Sequence, residues 1–131
     1  MSIVSLYAAV LAVIFVVLSV RTLRLRRRLQ IAIGDGSNPA MIRAVRAHSN
    51  FAEYVPLALL LIYFSELAQA PPWALHALCS CLLVGRVSHA FGISQANENF
   101  AFRVAGMALT FTTILGAAAY MIVQHAIALV R

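Results

Sequence analysis

Charged side chains are scarce in this sequence, and acidic ones are the scarcest of all. Only 11% of the 131 residues are charged, whereas a soluble domain usually carries about 25%. Hydrophobic residues make up 63% of the chain. Because so few charges cannot cover a water-facing surface, the composition excludes an ordinary soluble domain and favours a protein whose outer surface contacts lipid.

Lysine is absent, and the ten basic residues, all arginines, oppose four acidic ones to give a formal net charge of +6. Basic proteins often bind nucleic acid, but these arginines are few and lie at the ends of apolar runs rather than across one surface. Nucleic-acid binding is therefore not expected. The positive-inside rule of membrane proteins accounts for the same charges.

Cysteine is also rare, and the two present, Cys79 and Cys81, lie two positions apart within an apolar run. Side chains at i and i+2 of a helix point in different directions, so a disulfide between them is not expected. We interpret both as small core or lipid-facing residues, with a redox pair or metal site as the weaker alternative. The histidines also lack metal-ligand spacing on any one helix, so no metal site is expected.

Four hydrophobic segments separated by turn-forming residues predict a single all-α domain over residues 1–131, a bundle of four transmembrane helices. The first apolar run, Ile3 to Val20, has about the 18 uncharged residues needed to cross a bilayer core. We interpret it as a retained helix rather than a signal peptide, because its arginines follow the apolar run. The predicted helices cover residues of about 2–28, 40–69, 72–91 and 100–130, with a kink expected at Pro56.

The distribution of arginines over the connections predicts a multi-pass protein of the inner membrane with a defined orientation. Five arginines precede the first connection, Arg86 and Arg103 flank the third, and the second, near Pro71, has none. The first and third connections are therefore expected on the cytoplasmic side and both termini on the opposite side, with Arg131 as a single opposing charge.

A polar cluster occupies one face of the second helix near its start. At about 100° per residue, five side chains fall within an arc of about 100°: Arg43, Arg46, Asn50, Glu53 and Tyr54. Ionisable groups are costly in a membrane unless they face the protein interior and are paired or bound to a ligand. One interpretation is a salt-bridge network in which Arg43 or Arg46 neutralises Glu53. The other is a pocket for a small zwitterionic peptide, since arginine binds carboxylates, glutamate accepts from ammonium groups and an amide satisfies peptide groups.

Other helices contribute charged side chains at the same predicted depth. Arg86 and His89 are spaced i, i+3 on the third helix, and Arg103 opens the fourth, so all three can converge on the polar cluster. Glu98, in the third connection, is expected to be solvated. His48 lies on the opposite side of the second helix, and we interpret it as an interhelix histidine or as a contact to a neighbouring subunit.

A resemblance to the MAPEG family, the membrane-associated proteins in eicosanoid and glutathione metabolism, is carried by the segment Arg46-Ala47-His48-Ser49-Asn50-Phe51-Ala52-Glu53-Tyr54-Val55-Pro56-Leu57. Members of that family carry an arginine, an asparagine, a glutamate and often a tyrosine and proline at this spacing. The resemblance extends to the chain length, the four helices, the arginine-rich first connection and the segment Gly85 to Gly92 on the third helix.

The resemblance implies a homotrimer in the membrane that binds glutathione, as a co-substrate, between subunits near the cytoplasmic side. In this analogy His48 reaches the site of the adjacent subunit, and Arg103, with Arg86 as the reserve, stabilises the glutathione thiolate. The other residues that the resemblance assigns to glutathione binding are Arg46, Asn50, Glu53 and Tyr54. Arg43, on the same arc of the second helix, and His89, on the same face as Arg86, are further candidate ligands.

Two positions depart from the eicosanoid-forming members, which carry tyrosines where this chain has His89 and Ile93. Eicosanoid synthesis is therefore not expected, and the bacterial-type branch is the better match. The function implied is a glutathione-dependent transferase or peroxidase acting on lipophilic electrophiles that enter from the bilayer. The alternative is a non-catalytic protein of the same fold that binds glutathione or a similar small anion. A proton-coupled exporter is disfavoured, because Ile3 to Val20 contains no carboxylate.

Overall fold

The computed structural model describes residues 2–130, which form four α-helices and their connections. Arg131, the opposing charge in the predicted orientation, lies outside the described residues. The expected all-α architecture is confirmed, and no strand occurs between residues 2 and 130. The helices are α1 (Ile3–Leu29), α2 (Pro39–Leu67), α3 (Pro72–Ser94) and α4 (Phe100–Val130).

Three of the described helices, α1, α3 and α4, are long and apolar enough to cross a membrane. Helix α2 is 29 residues long, but the polar cluster occupies its first half. Large apolar side chains on α1 and α4 face outward, among them Val13, Val16, Leu115 and Ile122. Such surfaces suit contact with lipid or with another protein chain, because neither leaves them in water.

The turn residues predicted between α1 and α2 form a short loop. Gly34 and Gly36 adopt left-handed backbone conformations with φ of 72° and 59°, which glycine accepts at no steric cost. Asn38 then caps α2, since its side-chain oxygen accepts hydrogen bonds from two N–H groups of the first turn. Pro39 occupies the first helical position, where no N–H is needed. The loop thereby brings the arginine-rich end of α1 beside the start of α2.

Helices α3 and α4 approach each other closely at a pair of glycines. A Cβ atom on Gly106 would lie 2.6 Å from the carbonyl oxygen of Gly85 and 2.7 Å from the Cβ of His89. The buried Thr110 hydroxyl donates to the Gly106 carbonyl oxygen at 2.8 Å, so this hydroxyl has a partner at the crossing. Close packing of small residues holds membrane helices together, because lipid offers no hydrophobic drive for their association.

At the opposite end of the bundle, polar side chains join α1 to α2 and α3. The Glu66 carboxylate, on α2, accepts hydrogen bonds from the Ser2 hydroxyl and the Ile3 N–H at the start of α1. The Tyr7 hydroxyl lies 3.1 Å from His76 Nδ1 on α3. Glu66 therefore serves as a cap for α1 that is supplied by another helix.

Replacing Glu66 with alanine is expected to lower the free energy of unfolding by about 1 kcal/mol, because the Ile3 N–H and the Ser2 hydroxyl lose their acceptor. Thermal unfolding of detergent-solubilised protein, followed by circular dichroism, measures the change. Glu53→Ala is the matched control, since the Glu53 carboxylate forms no ion pair within residues 2–130. An equal loss of stability in both variants would show that Glu66 does not act as a cap.

Candidate functional site

A small cavity lies where α2, α3 and α4 meet, at the end of the bundle that carries the first and third connections. Its volume is about 240 Å³. We call it the polar cavity, because most of its wall consists of charged and polar side chains. The lining residues are Arg46, Ser49, Asn50, Glu53, His89, Ile93 and Arg103.

Helical spacing and a glycine explain how three helices supply this wall. Arg46, Asn50 and Glu53 follow one another at intervals of four and three residues, so they share one face of α2. On α3, a Cβ atom at Gly92 would lie 3.1 Å from the backbone nitrogen of Arg103. This close approach places the first turn of α4, with Arg103, against the end of α3 that carries the cavity.

Arg86 lies inside the bundle instead of lining the polar cavity. It is only 1% exposed, and its guanidinium donates to Asn50 Oδ1 at 2.7 Å and to the Gly106 carbonyl oxygen at 3.2 Å. The guanidinium carbon also lies 5.7 Å from the centroid of the Tyr54 ring. A buried cation has to be satisfied by such partners. Arg86 is therefore placed to hold Asn50 in position and does not line the polar cavity, and the reserve thiolate contact stays a prediction.

Three other predicted ligands lie away from the polar cavity in the single chain. The Tyr54 ring packs edge-to-face on Phe111 of α4, with 5.7 Å between ring centroids. Arg43 lines a separate cavity beside α1. His48 stacks on Phe15 of α1, with ring centroids 4.9 Å apart. The predicted arc on α2 is therefore divided. The side with Glu53, Arg46 and Asn50 faces the cavity, and the side with Arg43 and Tyr54 faces other helices.

Arg103 is paired with Glu98, the residue that was expected to be solvated. The Arg103 Nη1 atom lies 2.6 Å from Glu98 Oε1, and the guanidinium carbon lies 5.6 Å from the Phe100 ring centroid. Because both side chains are partly exposed, the pair contributes little to stability. Its main consequence is electrostatic, since the Glu98 carboxylate offsets part of the positive charge that Arg103 brings to the cavity.

The salt-bridge interpretation of the polar cluster is not supported. Arg103–Glu98 is the one ion pair within residues 2–130, and Glu53 has no such partner on α2. Ser49 and Ile93 line the cavity but were not predicted as ligands. Both could have been found from helical spacing, because Ser49 lies beside the predicted arc and Ile93 follows His89 by one turn.

The polar cavity brings both signs of charge together in a small volume. Two guanidinium groups, from Arg46 and Arg103, can bind carboxylates through charge-assisted hydrogen bonds. The Glu53 carboxylate can accept from a cationic group, and Asn50 and His89 supply neutral donors and acceptors. The arrangement therefore suits a small molecule that carries carboxylates and an amine. No cluster of residues that could hold a metal ion occurs in the described part of the chain.

Comparisons with known proteins agree with this architecture. The sequence profile of the MAPEG family matches residues 4–123. The chain is 34% identical over 111 residues to the inner membrane protein YecN of Escherichia coli K12, and the match covers 85% of this chain and 83% of that protein. The YecN protein of Escherichia coli O6:H1 strain CFT073 shows the same identity and coverage. No solved structure matches the chain.

Proposed function

The chain belongs to the MAPEG family, and from this premise we propose that it binds glutathione in the polar cavity and directs the glutathione sulfur toward lipophilic electrophiles in the membrane. The observation that carries the proposal is the wall of the cavity, where Arg46 and Arg103 face the same space as Glu53. Glutathione has two carboxylates and one ammonium group, so this donor and acceptor set matches its charges.

Four of the lining residues have roles that their chemistry suggests. Arg46 binds a carboxylate, Glu53 accepts from the ammonium group, and Asn50, held by Arg86, contacts a peptide group. Glutathione, when bound, supplies the nucleophilic sulfur. Arg103 favours the anionic form of a thiol placed beside it, because a nearby cation stabilises the charged state. No covalent bond to the protein is needed for this chemistry.

We propose that the functional unit is a homotrimer in which an adjacent subunit completes the polar cavity. A volume of about 240 Å³ is slightly smaller than the range of about 300–1,000 Å³ that small-molecule sites usually occupy. His48, which faces away from the cavity of its own chain, could then contact the ligand of a neighbour. Native mass spectrometry from detergent is expected to show three copies of the chain, and a monomer that binds glutathione would contradict this proposal.

We further propose that all four helices cross the inner membrane, with the first and third connections on the cytoplasmic side. The relative from Escherichia coli K12 is named an inner membrane protein. The second half of α2, from Val55 to Leu67, is apolar apart from Ser65 and Glu66, which suits a span. The five arginines at the end of α1 favour the cytoplasmic side for the first connection. Glutathione is then available to the polar cavity from the cytoplasm.

Conjugation of glutathione to a chromogenic chloronitrobenzene by the detergent-purified protein tests the activity. Turnover is expected to depend on both substrates and to fall by about 10–100-fold in Arg103→Ala, since one charged contact to the reacting group is lost. The control is Arg27→Ala, which removes an exposed arginine that lines a different cavity and is expected to keep full activity. Wild-type protein that binds glutathione without turnover would instead support the non-catalytic alternative.

One observation favours that non-catalytic alternative, in which the protein binds glutathione or a similar small anion without turnover. The Glu98 carboxylate is 2.6 Å from Arg103, so the charge that would stabilise a thiolate is partly offset. A protein with this pair would retain the binding groups of α2 but little power to activate a thiol. The two functions therefore predict different conjugation rates for a protein in which Glu98 is neutralised.

Replacing Glu98 with glutamine is expected to raise the rate of glutathione conjugation by up to about five-fold, because an exposed ion pair of this kind is worth at most about 1 kcal/mol. Initial rates at saturating electrophile measure the change. Glu66→Gln, a carboxylate neutralised at the opposite end of the bundle, is expected to leave the rate as it was. A rate that falls in Glu98→Gln would show that Glu98 assists the reaction instead of restraining Arg103.

A further inference from the structure

A second and larger cavity lies between the end of α1, the start of α2 and the end of α3. Its volume is about 640 Å³, and no acidic residue lines it. Valines of α1 and the side chain of Leu25 form its apolar part. We call it the arginine cavity, because four arginines line it: Arg21, Arg24, Arg28 and Arg43.

The arginines form a single positive surface next to an apolar one. Arg21, Arg24 and Arg28 are spaced i, i+3 and i+7, so they share one face of α1. The Arg21 guanidinium donates a hydrogen bond to Ser94 Oγ, which holds it against the end of α3. None of the four arginines forms an ion pair with a carboxylate of residues 2–130. Their charge is therefore uncompensated within the described part of the chain.

The apolar wall continues directly from the arginines along α1 toward the middle of the predicted span. Val16, Val17 and Val20 line the same cavity and precede Arg21 by one to five residues. A ligand that fills the whole space therefore needs an anionic group at one end and hydrocarbon at the other. Basic pockets between membrane helices on the cytoplasmic side bind anionic lipid headgroups in this way.

We propose that the arginine cavity is a binding site for an anionic phospholipid, with the phosphodiester on the arginines and an acyl chain along the valine wall. Free phosphate shares the headgroup chemistry but leaves the valine wall without a partner. The site shares no lining residue with the polar cavity, so this lipid is distinct from the glutathione of the proposed function and from a lipophilic substrate beside it.

Native mass spectrometry of the full chain, released from micelles supplied with phosphatidylglycerol, tests the proposal. Wild type is expected to retain phosphatidylglycerol and to discriminate against phosphatidylcholine. Arg24 and Arg28 are exposed, so the double variant R24Q/R28Q is expected to fold normally. It is expected to bind phosphatidylglycerol about thirty-fold more weakly, which is about five-fold for each arginine lost near a membrane surface.

The matched control is R26Q/R27Q, which removes the same charge from arginines that line a different surface cavity of the first connection. It is expected to retain phosphatidylglycerol as wild type does. Equal weakening in both double variants would overturn the proposal, because it would indicate a diffuse effect of net charge. Unchanged retention in R24Q/R28Q would overturn it as well.

Two further arms of the experiment separate the lipid from other ligands. Inorganic phosphate and glutathione are each added at rising concentration, and neither is expected to displace phosphatidylglycerol. Displacement by phosphate at low concentration would assign the site to a free anion. Displacement by glutathione would assign it to the thiol site, while the failure of glutathione to bind at all leaves the lipid result intact.

The same spectra also count the protein chains in each complex. If R24Q/R28Q changed the number of chains per complex without changing the amount of bound lipid, the surface would be assigned to a subunit contact.

Discussion

Arg86→Ala is expected to lower the free energy of unfolding by about 3–5 kcal/mol, since it removes a fully buried side chain, leaves a cavity and takes away a donor that two acceptors share. Those acceptors are Asn50 Oδ1 and the Gly106 carbonyl oxygen, which the guanidinium joins across three helices. Marginally stable proteins do not tolerate a loss of this size. Most of the variant is therefore expected to aggregate on extraction, which size-exclusion chromatography of the detergent-solubilised protein measures.

Two control variants show whether the loss belongs to the buried guanidinium. Arg103→Ala removes an arginine whose side chain is 35% exposed, and it is expected to elute as a single folded species. Arg86→Lys keeps the charge but not the planar fork, so it is expected to recover only part of the stability. An Arg86→Ala protein as stable as wild type would show that the contacts with Asn50 and Gly106 do not hold the bundle together.

After Arg86→Ala, the largest effect is expected for Gly106→Ala, which should lower the free energy of unfolding by about 1–3 kcal/mol or more. The new Cβ atom would lie 2.6 Å from the Gly85 carbonyl oxygen and 2.7 Å from the backbone nitrogen of His89. Both of these neighbours are backbone atoms, so α3 and α4 have to move apart to accept the methyl group. Because His89 lies on the cavity wall, affinity for glutathione is expected to fall together with the unfolding temperature.

Gly116→Ala provides a matched control on the same helix. There the added Cβ would lie 3.3 Å from Leu78 Cδ2, the far end of a flexible side chain. Thermal unfolding of the two variants is measured side by side, and Gly116→Ala is expected to behave like wild type or to gain slightly from better helix propensity. Similar losses in the two alanine variants would indicate a general intolerance of α4 to substitution, without a special contact at Gly106.

The sequence was sufficient to predict the four helices and the part of α2 that lines the cavity. Arg46, Asn50 and Glu53 could be grouped because helical spacing alone places them on one face. The other side of the predicted arc could not be assigned in the same way. Arg43 and Tyr54 turn toward different helices, and this division depends on where α1 and α4 pack against α2.

Two charged residues show what helical spacing cannot reveal. An arginine near the end of a membrane helix usually extends to the interface, but Arg86 is drawn inward because Gly85 and Gly106 bring α4 within reach of its guanidinium. Glu98 belongs to an irregular connection, where no helical spacing predicts which way a side chain points. The position of its partner, Arg103, depends on the close approach of the first turn of α4 to Gly92. That approach exists only in the folded bundle.

Calorimetric titration of glutathione into the detergent-purified protein tests most directly whether the polar cavity is a glutathione site. Saturable binding is expected for wild type, with affinity about 10–100-fold weaker in Arg46→Ala, where one charge-assisted contact is lost. Arg27→Ala is the charge-matched control and should bind as wild type does. Wild-type protein that shows no heat of binding, or Arg46→Ala protein with undiminished affinity, would contradict the assignment of this cavity.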